Sequence, residues 1–259
     1  MLLARKSRSL VSQGLITSSL SRKMSNLIEE SKKFAAIKSV NNHVKNGYVV
    51  GIGSGSTIVY AVQRLAERVK EEGLKVSCIP TSFQARQLIM ENNLPMTSFE
   101  SHDCCDVTID GCDEADSDLT LIKGGGGCLA QEKVVAQFSK DFVVIADYRK
   151  KSTKLGTSWK YVPIEVLPLA YKPVQNFIER TFGGEAQLRM AKAKAGPLVT
   201  DNGNLILDWF FDLNKNYDWE SVNLKLCSSA GIVDTGLFIN MAKAAYFGQK
   251  DGTVEIQTK

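Results

Sequence analysis

Short apolar runs alternate with amphipathic helical segments over the first two thirds of this sequence, and that alternation constrains the fold more than any other feature. Segments with apolar residues at helical spacing follow three of these runs, and another such segment, at 27–45, precedes the first run. Strands that alternate with helices form a parallel sheet covered on both faces, so the sequence predicts an α/β fold. Four runs have the length of buried strands: 48–53, 76–79, 107–110 and 142–147.

The pattern changes after about residue 155, where strand and helix signals no longer alternate regularly. Asn202-Gly203 lies between the apolar runs 198–200 and 205–210, and such a dipeptide is a strong hairpin signal. We interpret this region as a small α+β domain, followed by strands at 231–238 and 253–257 that return to the first domain. The predicted division is an extension at 1–25, a large domain at 26–157 plus 229–259, and a small domain at 158–228.

The charge distribution argues against a nucleic-acid-binding protein. Residues 1–28 contain five Lys or Arg residues and no acid, and subtracting them from the formal net charge of +4 leaves −1 for the rest. The predicted folded part therefore has no basic surplus for a phosphate backbone. No apolar run approaches the roughly 20 residues of a membrane-spanning helix, so no membrane partner is expected.

The N-terminal segment and the cysteines bear on location. A Ser-rich, basic, acid-free stretch at 1–28 is typical of a mitochondrial transit peptide, although we favour a disordered extension without a targeting signal. Six cysteines without a C-x-x-C pair indicate reduced thiols, as in a cytoplasmic protein. We therefore expect a cytoplasmic protein, with mitochondrial import as the second interpretation. Only two histidines are present, so a histidine-based zinc site is not expected.

The first motif that indicates a functional site is GIGSGST at 51–57, between a predicted strand and a predicted helix. Glycines allow a sharp turn and a close approach of the backbone to a ligand. Exposed N–H groups at a helix start favour an anion such as phosphate. The motif lacks the Gly-Lys-Ser/Thr ending of a Walker loop, and Ser56 replaces the third glycine of a dinucleotide fingerprint. A tight turn without a ligand would explain it about as well.

The second motif, DVTIDGCDEAD at 106–116, places Asp110 at the carboxyl end of a predicted strand. Ligands of open α/β sheets bind at that edge. Asp113, Glu114 and Asp116 follow closely, and neighbouring carboxylates repel one another. Three arrangements would accommodate them: a solvated acidic loop, a bound divalent cation, or an acid and a base with different proton affinities.

The third motif, LIKGGGGCLAQEK at 121–133, favours acid–base chemistry. Four consecutive glycines cost conformational entropy, so they need a functional reason. Lys123 stands immediately before them, and Glu132 lies about one turn into the predicted following helix. A cation, an array of N–H donors and one carboxylate are the groups needed to abstract a proton beside a carbonyl.

Together with IADYRK and VTDNGN-LILD, these motifs resemble ribose-5-phosphate isomerases of the A type, in the same order and spacing from about residue 32 to 252. The resemblance implies a Rossmann-like domain with a smaller ferredoxin-like α+β domain. It implies interconversion of D-ribose 5-phosphate and D-ribulose 5-phosphate through a cis-enediolate, in the non-oxidative pentose phosphate pathway. It also implies a homodimer or homotetramer that needs no cofactor and no metal. Cys112 departs from the pattern, because alanine is common there.

The resemblance also implies a role for each matching residue. Glu132 corresponds to the general base, and Lys123 with the glycine N–H groups corresponds to the group that stabilises the enediolate oxygen. Asp110 and Asp113 correspond to carboxylates that bind sugar hydroxyls and assist ring opening. The remaining implied substrate-binding residues are Ser54, Gly55, Ser56, Thr57, Gly111, Cys112, Gly124, Gly125, Gly126, Lys150 and Lys33.

Two other functions compete with the isomerase. A sugar-phosphate sensor on a similar fold would usually carry a DNA-binding domain, and residues 1–45 lack the helix pair and basic face for one. A nicotinamide-dependent oxidoreductase would need an acid at a strand end about 20 residues after the glycines. Glu71 and Glu72 lie near that distance but on the predicted helix instead.

Overall fold

The protein is represented by a computed structural model that describes residues 24–259. The predicted extension at 1–25 lies almost wholly outside the described residues. The helices are α1 (24–43), α2 (Ser56–Glu72), α3 (Phe83–Glu91), α4 (Leu129–Gln137), α5 (Tyr171–Phe182) and α6 (Trp219–Cys227). The strands are β1 (Val49–Ile52), β2 (Ser77–Pro80), β3 (Cys105–Asp110), β4 (Glu114–Ala115), β5 (Leu121–Ile122), β6 (Ser139–Asp147), β7 (Val162–Val166), β8 (Glu185–Leu188), β9 (Leu205–Phe210), β10 (Ile232–Thr235), β11 (Leu237–Phe238), β12 (Ala244–Gly248) and β13 (Val254–Thr258).

A six-stranded sheet in the order β13-β12-β6-β3-β1-β2 forms the large part of the molecule. All neighbouring pairs are parallel except β12 with β13, which are antiparallel. Strands β1, β3 and β6 are buried and rich in β-branched residues, as expected for strands covered on both faces. The predicted α/β class with a Rossmann-like parallel sheet is confirmed. The strand order reverses between β1 and β3, which is where open α/β sheets bind ligands.

A four-stranded antiparallel sheet in the order β10-β7-β9-β8 forms the smaller part. Its elements follow one another as β7-α5-β8-β9-α6-β10, the βαββαβ arrangement of the ferredoxin-like fold. One face packs on α5 and α6 around fully buried Trp209, with Ile164, Leu207 and Leu226 in the same cluster. Side chains of the opposite face, including Glu165 and Asp208, therefore point toward the large sheet.

Two sequence-based assignments in this region are wrong. Residues 232–235 were assigned to the large domain, but β10 pairs with β7 of the small sheet. The Asn202-Gly203 turn exists, yet residues 198–200 do not form a strand with β9. Leu198 N–H instead donates to Arg189 O, because β9 is already paired on both sides by β7 and β8.

A three-stranded sheet, β11-β5-β4, joins the two larger sheets near the third motif. Lys123 N–H donates to Gly236 O at 2.8 Å, and Gly236 N–H donates to Pro163 O at 2.6 Å. Within residues 24–259, no helix combines the length and apolar composition that a membrane crossing requires.

Candidate active site

A cavity of about 280 Å³ lies at the carboxyl edge of the six-stranded sheet, at the reversal of strand order. Three segments that the sequence singled out meet there: the turn after β1, the loop after β3, and the glycine segment before α4. The first two meet because the carboxyl ends of β1 and β3 are neighbours in the parallel sheet, and the antiparallel pairing of β4 with β5 brings the glycine segment to them. The predicted residues that line the cavity are Ser54, Gly55, Ser56, Thr57, Gly111, Cys112, Asp113, Lys123, Gly124, Gly125, Gly126, Glu132 and Lys150.

Lys123 is the central charge of the site. Its side chain is 3% exposed, and Nζ lies 2.9 Å from Asp110 Oδ2 and 3.1 Å from Glu132 Oε2. Nζ also donates to Gly111 O at 2.5 Å. Burial alone would lower the pKa of Lys123, but the two carboxylates raise it above its ordinary value. The ammonium group therefore stays charged wherever the protein is folded and both carboxylates are ionised.

Asp110 lies beneath the cavity and is fully buried at the end of β3. Its Oδ1 accepts from Ser54 N–H at 3.0 Å and from Gly111 N–H at 2.7 Å. A Cβ atom at Gly53 would lie 2.0 Å from Asp110 Oδ1, so the turn after β1 can approach this carboxylate only with glycine there. Asp110 thus ties the first motif to the second and holds Lys123 from below.

Glu132 lies in the first turn of α4 and is 5% exposed, with its side chain on the cavity wall. Burial and the charge of Asp110 raise its pKa from 4.5 to about 8, while Lys123 acts in the opposite direction. Its Oε2 is buried and has no partner in good hydrogen-bond geometry. A buried carboxyl group with a near-neutral pKa is suited to take and return a proton.

Asp113 faces the glycine segment from across the cavity. Burial raises the pKa of this carboxyl group, and the hydrogen bond from Gly125 N–H, at 2.7 Å from Oδ2, opposes that shift. A Cβ atom at Gly125 would lie 2.7 Å from Asp113 Oδ1 and 2.9 Å from Trp159 Cη2. Gly124, with φ of 95°, is in a backbone conformation that favours glycine. The glycine run is therefore required by space and by backbone geometry.

The start of α2 provides an anion site at the other end of the cavity. Gly55 precedes the helix with φ of 101°, and no side chain caps the helix. Gly55 N–H donates to Gln84 Oε1 at 2.8 Å, and Ser54 Oγ donates to Ser82 Oγ at 2.6 Å. Uncapped N–H groups and the helix dipole attract a phosphate group here.

The predicted contact of Lys33 with the substrate is wrong. Lys33 is exposed and does not line the cavity, whereas Lys32 does and donates from Nζ to Ser56 Oγ at 3.0 Å. Successive side chains on a helix point about 100° apart, so only one of two neighbouring lysines can face the cavity. Glu29 Oε1 lies 2.7 Å from Lys32 Nζ and holds this cation near the start of α2.

Lys150 reaches the cavity from the short helical turn after β6. Its Nζ lies 5.2 Å from the centre of the Trp159 ring, a cation–π contact that orients the side chain. Arg149 also lines the cavity and pairs with Asp147 through Nε at 2.6 Å and Nη2 at 3.0 Å. The cavity mouth thus combines several cations with the helix N-terminus.

Two cysteines line the cavity, and both are weak nucleophiles at neutral pH. Burial raises the pKa of the Cys112 thiol and of the Cys128 thiol to about 12. The nucleophilic thiolate is therefore scarce at neutral pH. Cys112, where the motif usually has alanine, acts here as a small apolar side chain.

Sequence reasoning missed Lys32, Gln84, Arg149 and Asp147 as cavity residues. Arg149 immediately precedes Lys150 in IADYRK, but the family resemblance implies a role for Lys150 alone. Gln84 gave no local signal, because its contact with Gly55 joins the first turn of α3 to the start of α2, 29 positions apart in the sequence. Within residues 24–259, no group of three or more His, Cys, Asp or Glu side chains is placed to hold a metal ion.

A larger groove of about 770 Å³ lies elsewhere, along α3 and α4. Its walls are mainly apolar, and Arg86 is the one charged side chain among its described lining residues. None of its described lining residues is a carboxylate or a histidine, whereas Asp113, Lys123 and Glu132 line the smaller cavity.

Comparison with known proteins gives a consistent result. The family model of ribose 5-phosphate isomerase A (phosphoriboisomerase A) matches residues 77–252. The ribose-5-phosphate isomerase of Homo sapiens is 57% identical over 232 residues, covering 89% of this chain and 74% of that protein. A solved D-ribose-5-phosphate isomerase in complex with phospho-erythronic acid has a TM-score of 0.84 and 35% identity, with 90% and 99% of the two chains covered. The enzyme from Methanocaldococcus jannaschii has a TM-score of 0.83 and 38% identity, with 89% and 99% covered.

Proposed function

The chain belongs to the ribose 5-phosphate isomerase A family, and from that premise we propose that Glu132 is the base of the reaction. The protein is an aldose–ketose isomerase that interconverts D-ribose 5-phosphate and D-ribulose 5-phosphate. One observation carries the proposed residue roles: Lys123 Nζ lies within 3.1 Å of Glu132 and 2.9 Å of Asp110 in a cavity lined by glycine N–H groups. A base and a cation thus share one small space.

In the proposed reaction, Glu132 removes the proton from C2 of the open-chain aldose. The electrons move onto the carbonyl oxygen and form a cis-enediolate, whose negative charge is stabilised by Lys123 and the glycine segment. A proton passes between O2 and O1, and Glu132 returns its own proton to C1, which gives the ketose. Every proton is conserved, and the enzyme ends in its starting state.

The protonation state of Glu132 supports this role. A pKa of about 8 means that Glu132 exchanges a proton at a small free-energy cost near neutral pH. A positioned base contributes roughly 10²–10⁴ in rate. One preorganised donor to the developing oxyanion contributes roughly 3 kcal/mol. Together these two contributions correspond to roughly 10⁴–10⁶ in rate.

The other cavity residues bind and orient the sugar phosphate. We assign the phosphate to the start of α2, with Lys32 beside it, because uncapped N–H groups and a cation meet there. Asp113 faces the sugar hydroxyls, and its raised pKa suits proton transfers during ring opening. Binding energy from the phosphate then positions C1 and C2 against Glu132.

A Glu132→Gln variant tests the assignment of the base. We expect near-complete loss of turnover with retained binding of ribose 5-phosphate, because the amide keeps the shape but does not accept the C2 proton. Gln131→Ala is the matched control on the same helical turn, since Gln131 lines the apolar groove instead. Turnover of Glu132→Gln within tenfold of the parent would exclude Glu132 as the base.

We also propose that the chain forms a homo-oligomer, in agreement with the family resemblance. Support comes from large apolar side chains that remain exposed along the 770 Å³ groove, including Met96, Val134 and Val233. Light scattering of the parent and of Val134→Glu tests this: we expect a dimer or tetramer that the substitution dissociates. A monomeric parent would contradict it.

We propose a cytoplasmic location, supported by six cysteines without a C-x-x-C pair. A reporter fused to residues 1–28 tests this proposal. A diffuse cytosolic signal is expected, and accumulation in mitochondria would favour the transit-peptide interpretation.

A further inference from the structure

The carbonyl groups of the glycine segment face the small sheet and contact Arg189. Nη1 of Arg189 donates to two carbonyl oxygens, Gly124 O at 2.9 Å and Gly125 O at 3.2 Å. Arg189 follows β8 and does not line the cavity, so it does not reach the substrate site directly. A side chain next to the small sheet therefore fixes two consecutive peptide groups of the glycine segment, between β5 and α4.

Fixing the carbonyl groups also fixes the N–H groups of the same peptides. In a trans peptide the C=O and N–H bonds point in opposite directions. The peptide that carries Gly124 O therefore directs Gly125 N–H away from Arg189, where it donates to Asp113 Oδ2. The next peptide, which carries Gly125 O, likewise directs Gly126 N–H away from Arg189, and Gly126 lines the cavity.

Gly126 N–H is available to a ligand. Among the hydrogen bonds of the described residues 24–259, none has Gly126 N–H as its donor. Gly126 lines the cavity, and a Cβ atom at this position would meet nothing within 4 Å. An unoccupied backbone donor beside Lys123 is the geometry required to stabilise an enediolate oxygen.

The guanidinium group is itself held rigidly. Nε donates to Asp208 Oδ2 at 2.8 Å, and Nη2 pairs with Asp208 Oδ1, so the contact is bidentate. Both side chains are largely buried, at 11% and 13% exposed. The guanidinium group also lies over the Tyr161 ring, 6.0 Å from its centre. A planar fork can hold a carboxylate and two carbonyl groups at once, whereas a lysine ammonium group lacks this geometry.

We propose that Arg189, oriented by Asp208, is a positioning residue that turns the glycine segment so that Gly126 N–H faces the enediolate oxygen. The proposal rests on the proposed function, because it needs an oxyanion next to Lys123. It predicts an effect on the transition state and little effect on phosphate binding at the start of α2.

Arg189→Lys and Arg189→Gln test this role, with ribose 5-phosphate as substrate. We expect kcat to fall roughly tenfold to a hundredfold, as for partial loss of an oxyanion donor, with KM within threefold of the parent. Two bound probes separate the causes. Phospho-erythronic acid has a carboxylate that imitates the enediolate oxygen. Its Kd should rise by about the same factor by which kcat falls. Ribitol 5-phosphate, which has no carbonyl or carboxylate, should bind as it does to the parent.

Asp234→Asn is the matched control, because Asp234 also forms a half-buried ion pair between the small sheet and the large part. It accepts from Lys133 Nζ at 2.6 Å and does not contact the glycine segment. We expect unchanged kcat in this variant. If the Arg189 variants do not fold, Asp208→Asn keeps the guanidinium group and should show a smaller loss of kcat with the same probe selectivity.

The outcomes are distinguishable. Arg189 variants with unchanged kcat would overturn the positioning role and leave the base assignment intact. Equal weakening of both probes would assign Arg189 to general stability and overturn the proposal as well. Failure of the proposed function would instead appear as turnover in Glu132→Gln, whatever the Arg189 variants do.

Discussion

Replacing Lys123 by methionine removes the cation that lies between Asp110 and Glu132. At an effective dielectric constant of about 20, a unit charge at 2.9–3.1 Å from each carboxylate contributes about 5 kcal/mol per pair. Methionine nearly preserves the apolar stem and cannot neutralise either charge. Two adjacent buried carboxylates without a cation do not both stay ionised, so the pair takes up a proton.

Two losses then combine in Lys123→Met. Lys123 lowers the pKa of Glu132, so without this cation the pKa rises further above its value of about 8, and the base is largely protonated at pH 7.5. The oxyanion also loses a charged donor, which corresponds to about 3 kcal/mol or roughly a hundredfold. A positioned base is worth roughly 10²–10⁴ and the lost donor roughly 10², so together we expect kcat at pH 7.5 to fall by roughly 10⁴ or more, with partial recovery at higher pH.

The assay is the initial rate of ribulose 5-phosphate formation between pH 6 and 10. Lys133→Met is the matched control, because Lys133 also forms a half-buried ion pair, on the neighbouring α4, and faces Asp234 instead of the cavity. Breaking a buried pair costs about 3–5 kcal/mol of stability, so circular dichroism must show that both variants are folded. A folded Lys123→Met with kcat within tenfold of the parent would refute the reasoning.

Three further predictions follow from the same geometry. Lys32→Met should raise KM for ribose 5-phosphate about tenfold, whereas Lys33→Met should leave it unchanged, because only Lys32 contacts Ser56 beside the phosphate site; equal effects in steady-state kinetics would contradict the placement. The profile of kcat/KM against pH should rise with an apparent pKa near 8, because Glu132 must be ionised to act as a base; a profile that is already flat at pH 6 would disagree. In urea denaturation from pH 5 to 8, the folded parent retains the Glu132 proton that the unfolded chain releases above about 4.5, so stability falls with pH by up to about 1.4 kcal/mol per unit relative to Glu132→Gln; parallel curves for the two proteins would contradict the raised pKa.

Much of the site could be predicted from the sequence because each motif borders a regular element. Asp110 ends a buried strand, Lys123 precedes the glycines, and Glu132 follows them by about one helical turn. A parallel sheet brings the ends of β1 and β3 to one edge, and the antiparallel pairing of β4 with β5 returns the chain to that edge at Lys123. The glycine run likewise reflects contacts with Asp113 and Trp159 that leave no room for a side chain.

The remainder depended on information that the local sequence does not contain. The family resemblance implied Lys33, but neighbouring lysines on α1 differ in helical phase, and only Lys32 faces the cavity. The Asn202-Gly203 turn has the composition of a hairpin, but β9 is already paired on both edges. The contact of Arg189 with the glycine carbonyl groups joins residues 64 and 65 positions apart, across two sheets, so no local pattern indicated it.

The most direct test of the account follows a single hydrogen atom. With ribose 5-phosphate deuterated at C2 in ordinary water, nuclear magnetic resonance measures how much deuterium appears at C1 of the first ribulose 5-phosphate formed. Glu132 is 5% exposed, so exchange with solvent is slowed while its carboxyl group holds the deuteron. The account predicts measurable transfer of deuterium from C2 to C1 in the parent, and neither transfer nor release of the label by Glu132→Gln. Continued release of the C2 deuterium by Glu132→Gln would contradict it.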